Sequence, residues 1–213
     1  MNNNLLILFL LICSLSANAD ELQSGDLIFV VEGKGNFSKA ISEATAFSDS
    51  LKFVHVGIIE REDNFINVVE ASPEEGVRII PIEKFIEEAP EINGIPQIVI
   101  KRLTIDFPIE EAVARAKSFL GEPYDWWYLP GNGKMYCSEL VYESFLDSEG
   151  KHIFIAQPMN FRSSDGNIPQ FWNELFSELG QPIPEGIEGT NPSDLSKSSF
   201  LQTLTIENYF NSK

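Results

Sequence analysis

Met135-Tyr-Cys137-Ser-Glu-Leu140-Val141-Tyr-Glu-Ser144-Phe145 is the stretch on which the reading of the fold turns. Counted from Cys137, the residues Leu140, Val141, Ser144 and Phe145 fall at i+3, i+4, i+7 and i+8, the buried face of a helix that begins at the cysteine. A cysteine in that position gains twice. Its thiolate lies at the positive end of the helix dipole, and the free N–H groups of the first turn can donate to a developing oxyanion. Upstream lies a second helical pattern from Ile109 to Leu120, with Ile109, Ala112, Val113, Ala116 and Leu120 on one stripe. Asp106 is its expected cap, Pro108 sits near its first turn and Gly121 is its stop.

Before these helices the pattern is that of strands. Asp26–Val31, Val54–Ile59, Phe65–Glu70, Val77–Ile82 and Gln97–Leu103 read as about five, with a short helix around Glu83–Glu88. The fold class is therefore α+β: an antiparallel meander or small β-barrel first, and the nucleophile helix after it. One more amphipathic piece spans Phe171–Leu179, and residues from about 181 to 213 read as a coil-rich tail on the same domain.

The composition bounds the function. With 213 residues and 43% of them apolar, the chain can bury one sizeable core. Fifteen Lys and Arg against thirty-two Asp and Glu give a net charge of −17. No basic stripe is available to neutralise phosphates, which argues against nucleic acid and against charge-driven docking on an anionic membrane. Leu5–Leu15 is an apolar run too short to span a bilayer, and Ala17-Asn-Ala19 has the small-x-small spacing of a signal-peptidase site. The expectation is a signal peptide at residues 1–19, an exported (periplasmic or secreted) single domain at 20–213, and no integral membrane segment after cleavage. Lipidation at Cys13 is set aside because Ile12 stands where such a site wants a small residue. Nothing in the sequence fixes an oligomeric state.

Cleavage removes Cys13 and leaves Cys137 alone. A single thiol in an oxidising compartment forms no internal disulfide, so it has a use or is buried. A thiolate nucleophile needs a base, and the chain has two histidines, His55 in a strand and His152 in an apparent loop after Gly150. If Arg61–Asn64 is the loop of a hairpin, Glu60 faces Phe65 and, further along, His55 faces Glu70. A carboxylate at that separation can fix the imidazole tautomer and support its charge. The constellation read from the residues is thus Cys137 as nucleophile, His55 as base and Glu70 as its orienting carboxylate. Metal chemistry is discounted, since no His-Glu-x-x-His run exists and one cysteine with two distant histidines is a poor ligand set; no cofactor is expected. Gly33-Lys-Gly-Asn-Phe-Ser38-Lys39 lacks the Gly-Lys-Ser/Thr ending of a phosphate loop and reads as a turn into a helix. Lys134 lies close enough in sequence to influence the thiol, with a solvated loop lysine as the plainer reading.

Taken together, Gly121-Glu-Pro-Tyr124-Asp-Trp-Trp127 and Tyr136-Cys137-Ser-Glu-Leu-Val141 resemble the G-x-P-Y and C-S-x-L-V signatures of the NlpC/P60 papain-like cysteine hydrolases. Here the histidine precedes the cysteine, the order of the circularly permuted, YiiX-like branch and, more distantly, of lecithin:retinol acyltransferase. Gly25-Asp26-Leu-Ile-Phe, His55-Val-Gly-Ile, Val69-Glu70-Ala71 and Ile183-Pro-Glu-Gly with Gly189-Thr-Asn-Pro192 look similar to that branch as well. The resemblance implies Cys137 as nucleophile, His55 as general base and acid, Glu70 as the third polar residue, and Tyr124 beside the Cys137 N–H in binding the tetrahedral oxyanion. It implies amide hydrolysis through a thioester, with a cell-wall peptide as a reasonable substrate. Glu139 and the Trp126-Trp127-Tyr128 cluster replace glycines common in the endopeptidases and could line an apolar acyl groove. A lipid amide or ester hydrolase, or an acyltransferase, is therefore the alternative, and a non-catalytic exported binding module is the alternative of another class.

Overall fold

A computed structural model describes residues 21–33, 36–45 and 51–205; the expected leader at 1–19 lies outside them. The first half supplies strands β1 (Leu27–Val31), β2 (Phe53–Glu62), β3 (Phe65–Ser72) and β4 (Gly76–Pro81), with helix α1 (Asn36–Thr45) between β1 and β2. Then come α2 (Ile82–Glu88), the small hairpin β5 (Glu91–Ile92) and β6 (Ile95–Pro96), and β7 (Ile98–Leu103). The second half supplies α3 (Ile109–Ser118), α4 (Cys137–Ser144), β8 (Gln157–Pro158), α5 (Gln170–Leu179), β9 (Glu188–Gly189), α6 (Pro192–Leu195) and β10 (Leu201–Thr203). Six strands form one antiparallel sheet in the order β10-β7-β1-β2-β3-β4. The expected α+β class holds, but the sheet is not a simple meander: β7 returns to pair with β1, and β10 closes on β7.

Both faces of the central strands are covered, which is why β1 reads as an unbroken apolar run. Leu27 and Phe29 point to one core together with Val56, Ile58, Val69 and Ala71, against Ala112, Val113 and Ala116 of α3 and Leu140 and Val141 of α4. Ile28 and Val30 point to the other, with Ile59, Val68, Ile80 and Ile100, under Ile82 and Phe85 of α2. Asp26, 1% exposed, takes a two-pronged ion pair from Arg102 (2.6 and 2.7 Å) and also accepts the Gln23 N–H (2.8 Å), which ties the entry of β1 to β7.

Two local expectations are corrected. α3 stops at Ser118, so Leu120 lies beyond the helix and is 41% exposed; the N-cap position is Pro108, not Asp106. The β2–β3 connection is the two-residue turn Asp63-Asn64 rather than Arg61–Asn64, because Asp63 accepts a left-handed backbone (φ 52°) that lets the strands pair to Glu62 and Phe65. A further feature, for which the sequence carries no expectation, is that pairing of β1 with β2 slips by one residue: Val30 is opposite His55 and Val31 opposite Phe53. Val54 is left as the extra residue of a bulge beside His55, a device that re-aims neighbouring side chains.

The sheet positions the segment 121–124 through its fourth strand. Val77 N–H donates to the Glu122 carbonyl (2.8 Å), and Gly121 N–H donates to the Val77 carbonyl (2.9 Å). Gly76, at φ 73°, lies so close that an added Cβ would stand 2.2 Å from the Glu122 oxygen. Gly94 has a similar φ of 77° but open space around it. Gly76→Ala should therefore lower unfolding stability by about 1–3 kcal/mol more than Gly94→Ala does, since it adds a backbone collision to the same φ strain. Parallel urea denaturation of the two variants checks this.

Candidate active site

α4 starts where the chain leaves an extended Tyr136 (φ −98°, ψ 166°), whose N–H reaches the Glu139 carboxylate (3.4 Å). Leu140, Val141, Ser144 and Phe145 are all buried, as the spacing predicts, and the helix packs on β2 and β3. Ser144 satisfies its hydroxyl on the Leu140 carbonyl (2.6 Å), while its own carbonyl accepts from Arg115 of α3 (2.5 Å). This fixes Cys137 at the helix N-terminus, 4% exposed, where first-turn N–H groups have no intrahelical partner.

His55 and Glu70 meet, although by another register than expected. β2 and β3 pair Ile58 with Val69 and Ile59 with Val68, two residues away from the anticipated alignment. Because side chains alternate with a period of two, a shift of two keeps Glu70 on the face of His55, as a diagonal neighbour. His55 Nε2 lies 2.5 Å from Glu70 Oε2, and His55 is hydrogen-bonded to Cys137 as well, which leaves Nδ1 for the sulfur. The other carboxylate oxygen accepts from Arg78 Nε at 2.8 Å and lies in ion-pair contact with Nη2 at 2.6 Å. Arg78 stands directly opposite Glu70 in the β3–β4 ladder and is held in turn by Glu75 and Glu88, each at 2.5 Å. Phe85 of α2 stacks on the imidazole, with ring centroids 5.7 Å apart.

The electrostatics follow from these contacts. Burial works against a charge on His55, yet the hydrogen bonds and charges of Cys137 and Glu70 push its pKa up to about 10. Burial likewise opposes ionisation of Glu70, but the His55 hydrogen bond and the charges of His55 and Arg78 hold its carboxyl below the usual range. Glu139 goes the other way: desolvation with Asp125 nearby raises it to about 8.

Tyr124 is buried and delivered by a bridge to Met135, where Asp125 N–H donates to the Met135 carbonyl and Met135 N–H to the Pro123 carbonyl, both at 3.1 Å. Burial and the neighbouring Tyr128 and Cys137 raise its phenol well above 10, so it stays a protonated donor. Tyr124, Tyr128, Tyr136, Cys137 and Ser138 line one cavity, together with Met159, Phe161 and Trp172. Of the aromatic cluster only Tyr128 reaches that lining. Trp126 packs on Tyr124 (4.9 Å), and Trp127 lies under the half-buried loop residue Lys134 (3.8 Å). His152 stacks on Tyr142 (3.8 Å) beside Glu143 (3.3 Å) and takes no part in the Cys137 group.

One participant was not singled out from the sequence. Arg78 had a readable signal, a charged residue alternating with Val77 and Ile79 across a short Pro-Glu-Glu turn from Glu70. Tyr128 was read only as one of an aromatic cluster able to line a groove; its actual place depends on a left-handed backbone at φ 53°.

The raised His55 pKa makes stability depend on pH. The contribution of its protonated form is complete below the unfolded value of 6.5 and is lost as pH rises through about 10. The thermal midpoint should fall between pH 7 and 10 in the wild type and fall less in His55→Gln, measured by circular dichroism at each pH.

Comparison with known proteins agrees with this geometry. The family model described as permuted papain-like amidase enzyme, YaeF/YiiX, C92 family, matches residues 21–205. YiiX of Escherichia coli K12, itself uncharacterised, is 28% identical over 207 residues, covering 97% of both chains. A crystal structure described as the metalloprotein yiiX from Escherichia coli O157:H7 is 26% identical, with a TM-score of 0.68 over 86% of this chain and 96% of that one. The match is to the YaeF/YiiX enzymes rather than to NlpC/P60 enzymes at large. With Cys137 at its helix start and His55 ahead of it in the chain, this protein belongs to the family of permuted papain-like amidases.

Proposed function

We propose that Cys137 is the nucleophile of an exported amidase acting on a peptide-like substrate such as a cell-wall peptide. The observation that carries this reading is His55 held between Cys137 and Glu70, with Arg78 behind Glu70. The sulfur, paired with the imidazolium, adds to the amide carbonyl carbon. The Cys137 N–H and the Tyr124 phenol donate to the oxygen as it gains charge. The C–N bond then breaks, and the imidazolium gives its proton to the leaving amine. Water, deprotonated by His55, attacks the thioester, and the released sulfur regains its pairing with the imidazolium. Export rests on the Leu5–Leu15 run and Ala17-Asn-Ala19; among the described residues no helix is long and apolar enough to cross a membrane.

The relative described as a metalloprotein raises the question of a metal here. Among the described residues no group of three or more His, Cys, Asp or Glu side chains is arranged to hold one. In the active-site group itself His55 is shared between sulfur and carboxylate, and Glu70 is spanned by His55 and Arg78. The donor set does not fit, and the mechanism uses none.

At neutral pH iodoacetamide should modify Cys137 at least ~10-fold faster in wild type than in His55→Ala, by intact mass; equal rates overturn the pairing. With an amide substrate in hand, Cys137→Ala should lower kcat at least ~10³-fold, and Glu70→Ala should lower it by roughly 10–100-fold with little change in KM.

A further inference from the structure

Among the described residues, three of the buried side-chain atoms without a hydrogen-bond partner belong to one place: Ser138 Oγ, Tyr128 Oη and Thr190 Oγ1. All three residues line the cavity beside Cys137. Ser138 is 1% exposed and follows the nucleophile in the first turn of α4, where no preceding turn offers its hydroxyl a carbonyl. Tyr128 Oη has the Tyr124 phenol beside it and Thr190 Oγ1 the Tyr136 phenol, which also takes the Thr190 N–H (3.1 Å); both contacts act on the tyrosines' electrostatics yet fall short of full hydrogen-bond geometry, and Ser138 Oγ has no such neighbour. A fold has nothing to gain from leaving three hydroxyls unmatched in one pocket, whereas a ligand that matches them recovers what folding left unsatisfied.

Two further features bound the ligand. The cavity is about 60 Å³, room for roughly four or five heavy atoms. Its lining contains no Asp, Glu, Lys or Arg, so a free ammonium or carboxylate would enter unpaired. A second cavity, of about 190 Å³, shares Ile41 and Val54 with the first, abuts His55 and is lined by Glu70, Glu74, Arg78 and Glu88. The leaving amine takes its proton from the sulfur-facing nitrogen of His55, and of the two cavities only the charged one is lined by that histidine, which leaves the neutral cavity, lined by Cys137 and Tyr124, to the acyl half.

We infer that the cavity of Ser138, Tyr128 and Thr190 is the acyl subsite, and that it selects a short, uncharged acyl group carrying a hydrogen-bonding substituent next to the carbonyl. A hydroxyacyl group or an N-acylated small amino acid is of this class, and a long alkyl chain is not. This rests on the nucleophile assigned above to Cys137, and it narrows the substrate.

The test uses the purified full chain and p-nitrophenyl esters of glycolate, propionate, glycine and decanoate, with Cys137 acylation followed by intact mass and nitrophenolate release. Wild type should prefer glycolyl over the isosteric propionyl by at least ~10-fold after correction for spontaneous hydrolysis, with glycyl and decanoyl slower than glycolyl. In Ser138→Ala and Thr190→Val the glycolyl/propionyl ratio should fall towards one while the thermal midpoint stays level or rises, since each removes an unmatched buried hydroxyl. A ratio retained in both variants, or decanoyl as the fastest ester, overturns the subsite while leaving the nucleophile in place. No acylation of Cys137 by any ester overturns the nucleophile and the subsite together.

Discussion

The carboxylate of Glu70 is the constraint around which the site is built. Its side chain is 4% exposed, and an ion so removed from water is tolerable only when paired and hydrogen-bonded. Both oxygens are committed, one to His55 and the other to Arg78. Arg78 is steadied by Glu75 from the β3–β4 turn and by Glu88 at the end of α2, so strand, turn and helix converge on one guanidinium. A one-residue slip between β3 and β4 would carry Arg78 to the opposite face and leave Glu70 with a single partner. The orientation of the imidazole is thus inherited from the register of two strands that carry neither the histidine nor the cysteine.

A second constraint comes from the far end of the chain. Ser193 accepts the Phe53 N–H (3.0 Å) and donates to the Phe53 carbonyl (3.1 Å), closing the start of β2 two residues before His55. Tyr136, immediately before the nucleophile, accepts the Thr190 N–H. Gly189 is required there, because an added Cβ would stand 2.6 Å from the Met159 sulfur and 2.9 Å from the Tyr136 hydroxyl. The segment 188–196 therefore secures both halves of the reacting pair, the strand of His55 and the helix of Cys137. In a permuted order, where histidine and cysteine lie far apart in sequence, such a clasp sets their spacing.

What the sequence disclosed follows from which signals are periodic. The α4 face was legible because the 3.6-residue period of Leu140, Val141, Ser144 and Phe145 needs no tertiary knowledge. The His55–Glu70 encounter was legible for a subtler reason: the turn was misread by two residues, and two is the one error a strand forgives. Arg78 escaped notice because a lone charged residue in a strand reads as solvent-facing, and only the β3–β4 register turns it inward. Tyr128 was legible only as one of an aromatic cluster, because its left-handed backbone and its contacts with Tyr136, Phe161 and Trp172 are products of packing. The reach of α3 was overestimated since Leu120 fits the stripe, although the helix closes at Ser118 on a Phe119 cap.

The causes that raise His55 also bear on how the proposed reaction would be timed. Among the groups that support the imidazolium, Cys137 contributes both its hydrogen bond and its charge, alongside Glu70. When the sulfur bonds to the carbonyl carbon its negative charge passes to the oxyanion, which Tyr124 and the helix N–H groups hold. The imidazolium then keeps Glu70 but loses the support of the sulfur, while the desolvation that always opposed its charge remains. Its pKa must fall at that moment. A proton held tightly in the resting pair becomes more readily given just when the departing amine requires one, so one hydrogen-bonded chain serves both to form the nucleophile and to discharge the leaving group.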